Sequence, residues 1–222
     1  MSRLRGVPGD GRPDRRTIAV VSAGLRDPSS TRLLADRLGE ATVSELDRRG
    51  VKAEVQLVDL RRYATELTTM LLTGVAGPGL DGALSQVTGA DGLVAVSPIY
   101  SGAYNGLFKT FFDVIDPDAL AGVPTVLGAT AGTARHSLAI EHTMRPLLTY
   151  LGAMTVPTGV FAATDDFGHS SGVRADDDVA PLADRVTAAA AELADLVASR
   201  PPRERHDPMA LTESFEDLLG GG

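Results

Sequence analysis

Short apolar runs alternate with stretches of helical period along most of the chain. Thr17-Ile-Ala-Val-Val21 is unbroken and reads as a strand buried on both faces. Ala53–Val58 alternates and reads as a second strand, Gly92–Val96 as a third, Pro124–Ala129 as a fourth and Met154–Ala162 as a fifth. Between them the apolar positions recur at helical spacing. Leu34, Leu38 and Ala41 mark a helix that ends before Gly50, and Leu80–Val87 a second. Leu107, Phe108, Phe111, Phe112 and Ile115 mark a helix from about Ala103. His136–Leu151 is a helix that Pro146 should bend. Asp176–Ser199 is another, with three leading Asp residues suited to the helix dipole. Leu60–Gly79 reads as a loop with a short helical piece. Strand and helix in repeated succession predict an α/β domain: a doubly wound, five-stranded parallel sheet with helices on both faces. The domain spans 17–200, between a flexible N-terminal tail (1–16) and a C-terminal tail (201–222).

Three loops follow strands at the same edge of that sheet, the edge where open α/β sheets bind ligands. The stretch Ser97–Asp113 is the most informative. Pro98 lacks an N–H and is expected to end the ladder, projecting Ile99, Tyr100 and Ser101 beyond the strand, with Gly102 and Gly106 opening the next helix. Tyr100 offers a flat apolar face suited to lie beside a planar ring. The first loop, Ser22–Arg32, leads into a helix N-terminus, where free N–H groups and the dipole attract an anion. Ser22, Ser29, Ser30 and Thr31 add hydroxyls, and Arg26 is in reach to cover a phosphate. N-capping by Ser29 or Ser30 accounts for one hydroxyl but not for four. The loop is neither a P-loop nor a dinucleotide fingerprint, since no Gly-Lys-Ser/Thr follows, and hydroxyls in place of glycines suit a single phosphate monoester. In the third loop, Thr130, Ala131, Gly132 and Thr133 are small enough to let a ligand approach the backbone.

Composition narrows the chemistry. The chain has 222 residues, 43% hydrophobic and 23% charged, as ordinary globular domains do. A formal charge of −8 argues against nucleic acid as a partner. No apolar run approaches about 18 residues, so no membrane partner is expected. Met1–Arg16 lacks the apolar segment of a signal peptide, and a cytoplasmic location follows as the expectation. With no cysteine there is no disulfide, thiolate nucleophile or Cys-ligated metal, and any electron transfer needs an organic cofactor. Gly77-Pro-Gly-Leu-Asp-Gly82 matches a dinucleotide fingerprint but lacks a firm preceding strand and a suitably spaced acid. Gly168-His-Ser-Ser-Gly172 matches a nucleophile elbow but lies within a polar loop. Asp165, Asp166, Asp176, Asp177 and Asp178 are not spaced as a calcium loop, and no metal site is expected.

Residues 17–165 resemble the NAD(P)H-dependent FMN reductases of the flavodoxin-like superfamily. Pro28-Ser-Ser-Thr31, Ser97-Pro-Ile-Tyr-Ser-Gly102 with Gly106-Leu-Phe-Lys109, Ala129-Thr-Ala-Gly-Thr-Ala-Arg-His136 and Leu138–Leu147 carry the resemblance. It implies a flavodoxin-like fold, FMN, and NADPH or NADH as hydride donor. It also implies that the first loop holds the FMN phosphate, the Pro-x-Tyr loop borders the isoalloxazine, and the third loop contacts its pyrimidine side. Two motifs depart from the usual pattern: Ser22-Ala-Gly-Leu-Arg26 stands for Gly-Ser-x-Arg, and Thr130-Ala-Gly132 for Thr-Gly-Gly. Related reductases carry a helical bulge at the position of His142.

Hydride transfer is the cofactors' own chemistry, so no catalytic acid or base is assigned. His136 reads as a polar contact or helix-start residue. The Pro-x-Tyr turn and the Ala139-Ile-Glu to Arg145-Pro stretch resemble reductases of two-component systems, above all those paired with luciferase-like monooxygenases. A flavin-dependent monooxygenase partner and a homodimer or homotetramer are therefore expected. Leu138, Ile140, Met144, Leu147, Leu148 and Leu151 point the same way, offering more apolar surface than one sheet face needs. The alternatives are an FMN-retaining quinone or azo reductase, and a flavodoxin-type electron carrier without nicotinamide turnover.

Overall fold

Apolar runs too short to be helices, each closed by small or turn-forming residues, assemble here into one sheet. The computed structural model describes residues 15–167 and 180–203. Its strands are β1 (Arg16–Ser22), β2 (Ala53–Asp59), β3 (Gly92–Tyr100), β4 (Ala103–Tyr104), β5 (Pro124–Ala131), β6 (Met154–Thr155) and β7 (Val160–Ala163). Its α-helices are α1 (Ser30–Arg48), α2 (Ala64–Thr73), α3 (Pro78–Thr88), α4 (Gly106–Asp113), α5 (Arg145–Tyr150) and α6 (Leu182–Ala198). The main sheet runs β2-β1-β3-β5-β6, with β7 also on β5, and these pairings are all parallel. This is the flavodoxin-like order with its reversal between β1 and β3.

The sheet has seven strands rather than the expected five. The predicted fifth strand is cut in two, because Pro157 has no N–H to offer and Gly159 is pressed against Ile140. A Cβ on Gly159 would lie 2.8 Å from that side chain. The other addition, β4, pairs antiparallel with the end of β3, Ile99 opposite Tyr104 and Tyr100 opposite Ala103. Ser101 and Gly102 turn this hairpin at φ 51° and 86°. Consecutive positive φ angles match the right-handed twist of the two strands. Gly102 therefore turns a hairpin and opens no helix, and α4 starts at Gly106 instead of Ala103.

Nor does Pro98 end the ladder: it stays in register with Thr130. The amide of Ala23 donates to the Val96 carbonyl, so Val96 faces β1, and Pro98, two residues on, faces the same way. β1 has left the sheet at that level, so the missing N–H breaks no bond.

Other boundaries also move. Arg16 belongs to β1 and is buried, its guanidinium donating to the Arg200 carbonyl at 2.6 Å. Leu60–Gly79 is mostly helical: a 3-10 turn at Leu60–Tyr63, then α2. The glycine motif at 77–82 falls where α3 starts after another helix, not after a strand. Helix α6 begins at Leu182, since Pro181 is its N-cap and is not helical. The predicted helix 136–151 is three pieces: a 3-10 turn (Ala134–His136), a π turn (Ile140–Met144) and α5, with Pro146 in the first turn of α5. The backbone from Ala139 through Tyr150 stays helical, and Pro146 follows closely on the π turn, the irregularity in the bonding ladder that accompanies it. Most of both tails, the 168–172 motif and Asp176–Asp178 lie outside the described residues. Among the described residues no helix is long and apolar enough to cross a membrane.

Strand alternation divides the core. Ile18, Val20, Val94 and Val96 face α1 and α6, meeting Leu34, Leu38, Leu193 and Val197. Ala19, Val21, Leu93 and Ala95 face the other side, under Phe108, Phe111 and Phe112 of α4 and Leu80 of α3. Small side chains on that face make room for three phenylalanines, each at most 1% exposed. Burial of each such ring contributes about 1.5–3 kcal/mol, and the ring cluster holds α4, and with it the hairpin, against the sheet.

Candidate active site

The carboxyl ends of β1, β3, β5 and β7 open into a cleft of about 470 Å³. Leu25, Arg26, Pro28, Ser29, Ser30 and Thr31 line it from the first loop, Pro98, Ile99 and Tyr100 from β3, Thr130, Ala131 and Gly132 from β5, and Thr164 from the turn after β7. In a chain with a net charge of −8, this lining contains, among the described residues, no carboxylate and one arginine.

The first loop forms one end. Ser29 is the N-cap of α1, its Oγ accepting from the Arg32 amide at 3.2 Å. Capping therefore uses one of the expected hydroxyls. The amides of Ser30 and Thr31, at the first two helical positions, have no intrahelical acceptor. No acidic residue occupies the first turn of α1, a helix of 19 residues, so its N-terminus keeps its partial positive charge. Arg26 is exposed on the rim, while its neighbour Asp27 faces Arg61 at 3.5 Å. The loop folds back tightly: a Cβ on Gly24 would come within 2.1 Å of Ser29 Oγ.

Thr31 joins this loop to the third. Thr31 is 3% exposed, and its hydroxyl lies 2.7 Å from that of Thr130. A hydroxyl both donates and accepts. If Thr130 donates in this pair, the Thr31 proton is free for a ligand. At the other end, Tyr100 stands at the tip of β3, 46% exposed. The turn at Thr164–Phe167 closes the far wall. Asp166 holds it there, accepting from the Ala163 amide at 2.7 Å and pairing with Arg185 at 2.9 Å.

Three expected site residues do not line the cleft. Ser22 is wholly buried at the end of β1, its Oγ without a partner. Ser101 is exposed in the hairpin turn, and Thr133 lies on the exposed stretch beyond Gly132. His136 is also exposed there, in a helical turn. Leu25 and Thr164 line the cleft without having stood out in the sequence; nothing in a loop leucine or a threonine after a strand singles either out. His142 sits in the π turn, as the bulge in related reductases suggested, and lines a separate surface pocket with Tyr104, Lys109 and Tyr150.

The sequence profile of the family described as NADPH-dependent FMN reductase matches residues 16–168, from the start of β1 past the turn that carries Thr164. The chain belongs to the NADPH-dependent FMN reductase family. It is 37% identical over 150 residues to an "FMN reductase (NADPH)" of Pseudomonas aeruginosa, covering 68% of this chain and 78% of the relative. It is 38% identical, with the same coverage, to the "NADH-dependent FMN reductase SfnF" of Pseudomonas putida. The crystal structure of an oxidoreductase from Corynebacterium diphtheriae superposes with a TM-score of 0.78 at 44% identity, covering 85% of this chain and all of the other. The protein is thus an NAD(P)H:FMN oxidoreductase of flavodoxin-like fold, as the sequence motifs implied.

Proposed function

We propose that this enzyme reduces FMN in the cleft described above with hydride from NADPH or NADH, and releases the reduced flavin to a separate flavin-dependent monooxygenase. The observation that carries the reading is the convergence of three loops on one cleft whose described lining has no carboxylate, with a free helix N-terminus at one end and an aromatic ring at the other. The donor set fits FMN. Ser30, Thr31 and their amides hold the phosphate, with Arg26 over it. Tyr100, Pro98 and Ile99 border the ring, and the Thr130–Gly132 backbone approaches its polar edge. When bound, the flavin supplies the hydride acceptor. These residues would hold and orient it; no side chain is assigned a proton.

Release is supported by the openness at Tyr100 and by the likeness of the Pro-x-Tyr turn and the Ala139–Pro146 stretch to two-component reductases. A cytoplasmic place of work belongs to the same proposal, since the reaction consumes NADPH or NADH. The active form is a homo-oligomer, a reading supported by the exposed Leu71, Leu72 and Val75.

An anaerobic stopped-flow experiment tests the reading. Enzyme, free FMN and each nicotinamide are mixed, and flavin bleaching is followed. Bleaching over many turnovers, with reduced FMN recovered in the ultrafiltrate, is expected. Reduction of one enzyme-bound equivalent only, with onward turnover of a quinone, would make it an FMN-retaining reductase. Flavin binding without nicotinamide oxidation would make it an electron carrier.

A further inference from the structure

Asn105 joins the two ends of the cleft without lining it. It is 3% exposed and has three partners. Its Oδ1 accepts from the Phe108 amide at 2.8 Å, capping α4. Its Nδ2 donates to the Ala23 carbonyl at 2.7 Å. Its own amide donates to Ser97 Oγ at 3.2 Å, and Ser97 Oγ donates to the Pro98 carbonyl at 3.0 Å. These partners fix the orientation of the side-chain amide: an N–H requires the oxygen, and a carbonyl requires the NH₂. Ala23 is the last residue of the first loop held by the sheet, through its amide to Val96. From Leu25 to Pro28 the chain is exposed. Pro98 and Tyr104, on either side of the hairpin, carry Tyr100 between them.

A helix cap needs only the acceptor. The donor to Ala23 reaches across 82 residues of sequence to the root of the other loop. We propose that Asn105 is a positioning residue that sets the distance between the phosphate end and the ring end of the cleft. The proposal rests on the FMN reading above. A ligand that touches both ends depends on that distance; one that touches only the ring end does not. FMN is the first kind of ligand and riboflavin the second.

Two variants separate the cap from the bridge. Asn105→Asp keeps the acceptor for Phe108 and loses the donor to Ala23. Asn105→Ser also keeps a capping oxygen, is neutral, and is too short to reach Ala23. Each leaves a buried carbonyl unpaired, so FMN affinity is expected to fall about ten-fold in both. Riboflavin affinity should change less than about two-fold, and KM for FMN should rise by more than kcat falls. Fluorescence titration with FMN and riboflavin, thermal unfolding and steady-state kinetics on wild type and both variants give the result. If the neutral serine variant folds and its FMN-to-riboflavin affinity ratio equals that of wild type, Asn105 is a helix cap only and the proposal is overturned, whatever the aspartate variant does. If the ratio is unchanged while both affinities and the melting temperature drop together, the same conclusion follows. Wild-type protein that does not bind FMN would overturn the cofactor reading, and this proposal with it.

Discussion

Ser30 and Thr31 are adjacent hydroxyls at one helix start, yet their surroundings give them different roles. Ser30 is exposed and has nothing to lose but a ligand contact. Thr31 is buried and bonded to Thr130. Ser30→Ala should therefore weaken FMN and leave thermal stability unchanged, whereas Thr31→Ala should weaken FMN and also cost about 1–3 kcal/mol of stability, because Thr130 is left unpaired. With both hydroxyls removed, FMN affinity is expected to fall at least ten-fold while riboflavin, which has no phosphate, barely moves. Paired fluorescence titrations and melting curves check both statements; an unchanged FMN-to-riboflavin ratio in the double variant would remove these hydroxyls from the phosphate. Tyr100→Ala should behave in the opposite way, weakening FMN and riboflavin by the same factor, since both carry the ring. Equal affinities of wild type and variant for both flavins would take Tyr100 out of the site. Tyr100 and Thr31 were legible in the sequence because one ends a buried strand and the other lies at the helix start that follows one, each in a stretch of unusual composition. Asn105 was not. An Asn before a Gly in a turn is commonplace, and its significance lies in a bond to a residue 82 positions away.

At the level of elements, what could be read depended on how local the cause was. The first four strand runs and their parallel order follow from short apolar or alternating stretches and from the helices that separate them, whereas the fifth run is cut in two. The hairpin after β3 did not follow, because Ser101-Gly102 ahead of a helical apolar face looks like a helix start. Only pairing of Tyr100 with Ala103 shows otherwise. The π turn at Ile140–Met144 is likewise a tertiary matter. Arg145 explains how it is held: it clamps Glu141 at 2.6 and 2.8 Å and donates to the carbonyls of Val156 and Pro157, in the gap between β6 and β7. The clamp sets charge as well as geometry. Hydrogen bonding to Arg145 holds the Glu141 carboxyl below its ordinary value of 4.5, and Glu141 in turn raises Arg145. A depressed carboxylate contributes stability above the unfolded-state value, and that stability is lost as the pH falls through the folded one. Glu141→Gln should therefore melt slightly below wild type at neutral pH, with the gap closing as the pH is taken well under 4.5. The effect is small because the pair is partly exposed to solvent. Melting curves from pH 3 to pH 7 on both proteins check it; a gap that persists at the acid end would mean that the clamp works through packing alone.

For the whole molecule, the sequence suggested assembly through the apolar residues of 138–151, and the fold changes which of them can serve. Ile140, Met144, Leu148 and Leu151 are buried in the chain's own core and have no surface left to offer. The apolar surface that remains lies elsewhere. Leu71, Leu72 and Val75 are 54%, 81% and 67% exposed along the last turn of α2 and just beyond it. Leu138 and Tyr150, at 63% and 81%, flank the π turn and α5. Exposed large apolar side chains grouped in this way suit an interaction surface, and closed symmetric pairing of identical chains is the commonest way to cover them. The α2 patch is the stronger of the two, since its three residues are consecutive or nearly so and no charged side chain interrupts them between Leu71 and Val75. Sedimentation velocity at micromolar concentration should thus show a species of at least twice 23.1 kDa. Leu72→Glu should shift it toward the single chain without changing the melting of the monomer, because Leu72 contributes almost nothing to the core. Tyr150→Glu is the matching test of the second patch. A single 23.1 kDa species for wild type would overturn the expectation of assembly. An assembly unaffected by Leu72→Glu but broken by Tyr150→Glu would keep assembly and move the interface to the face beside the π turn.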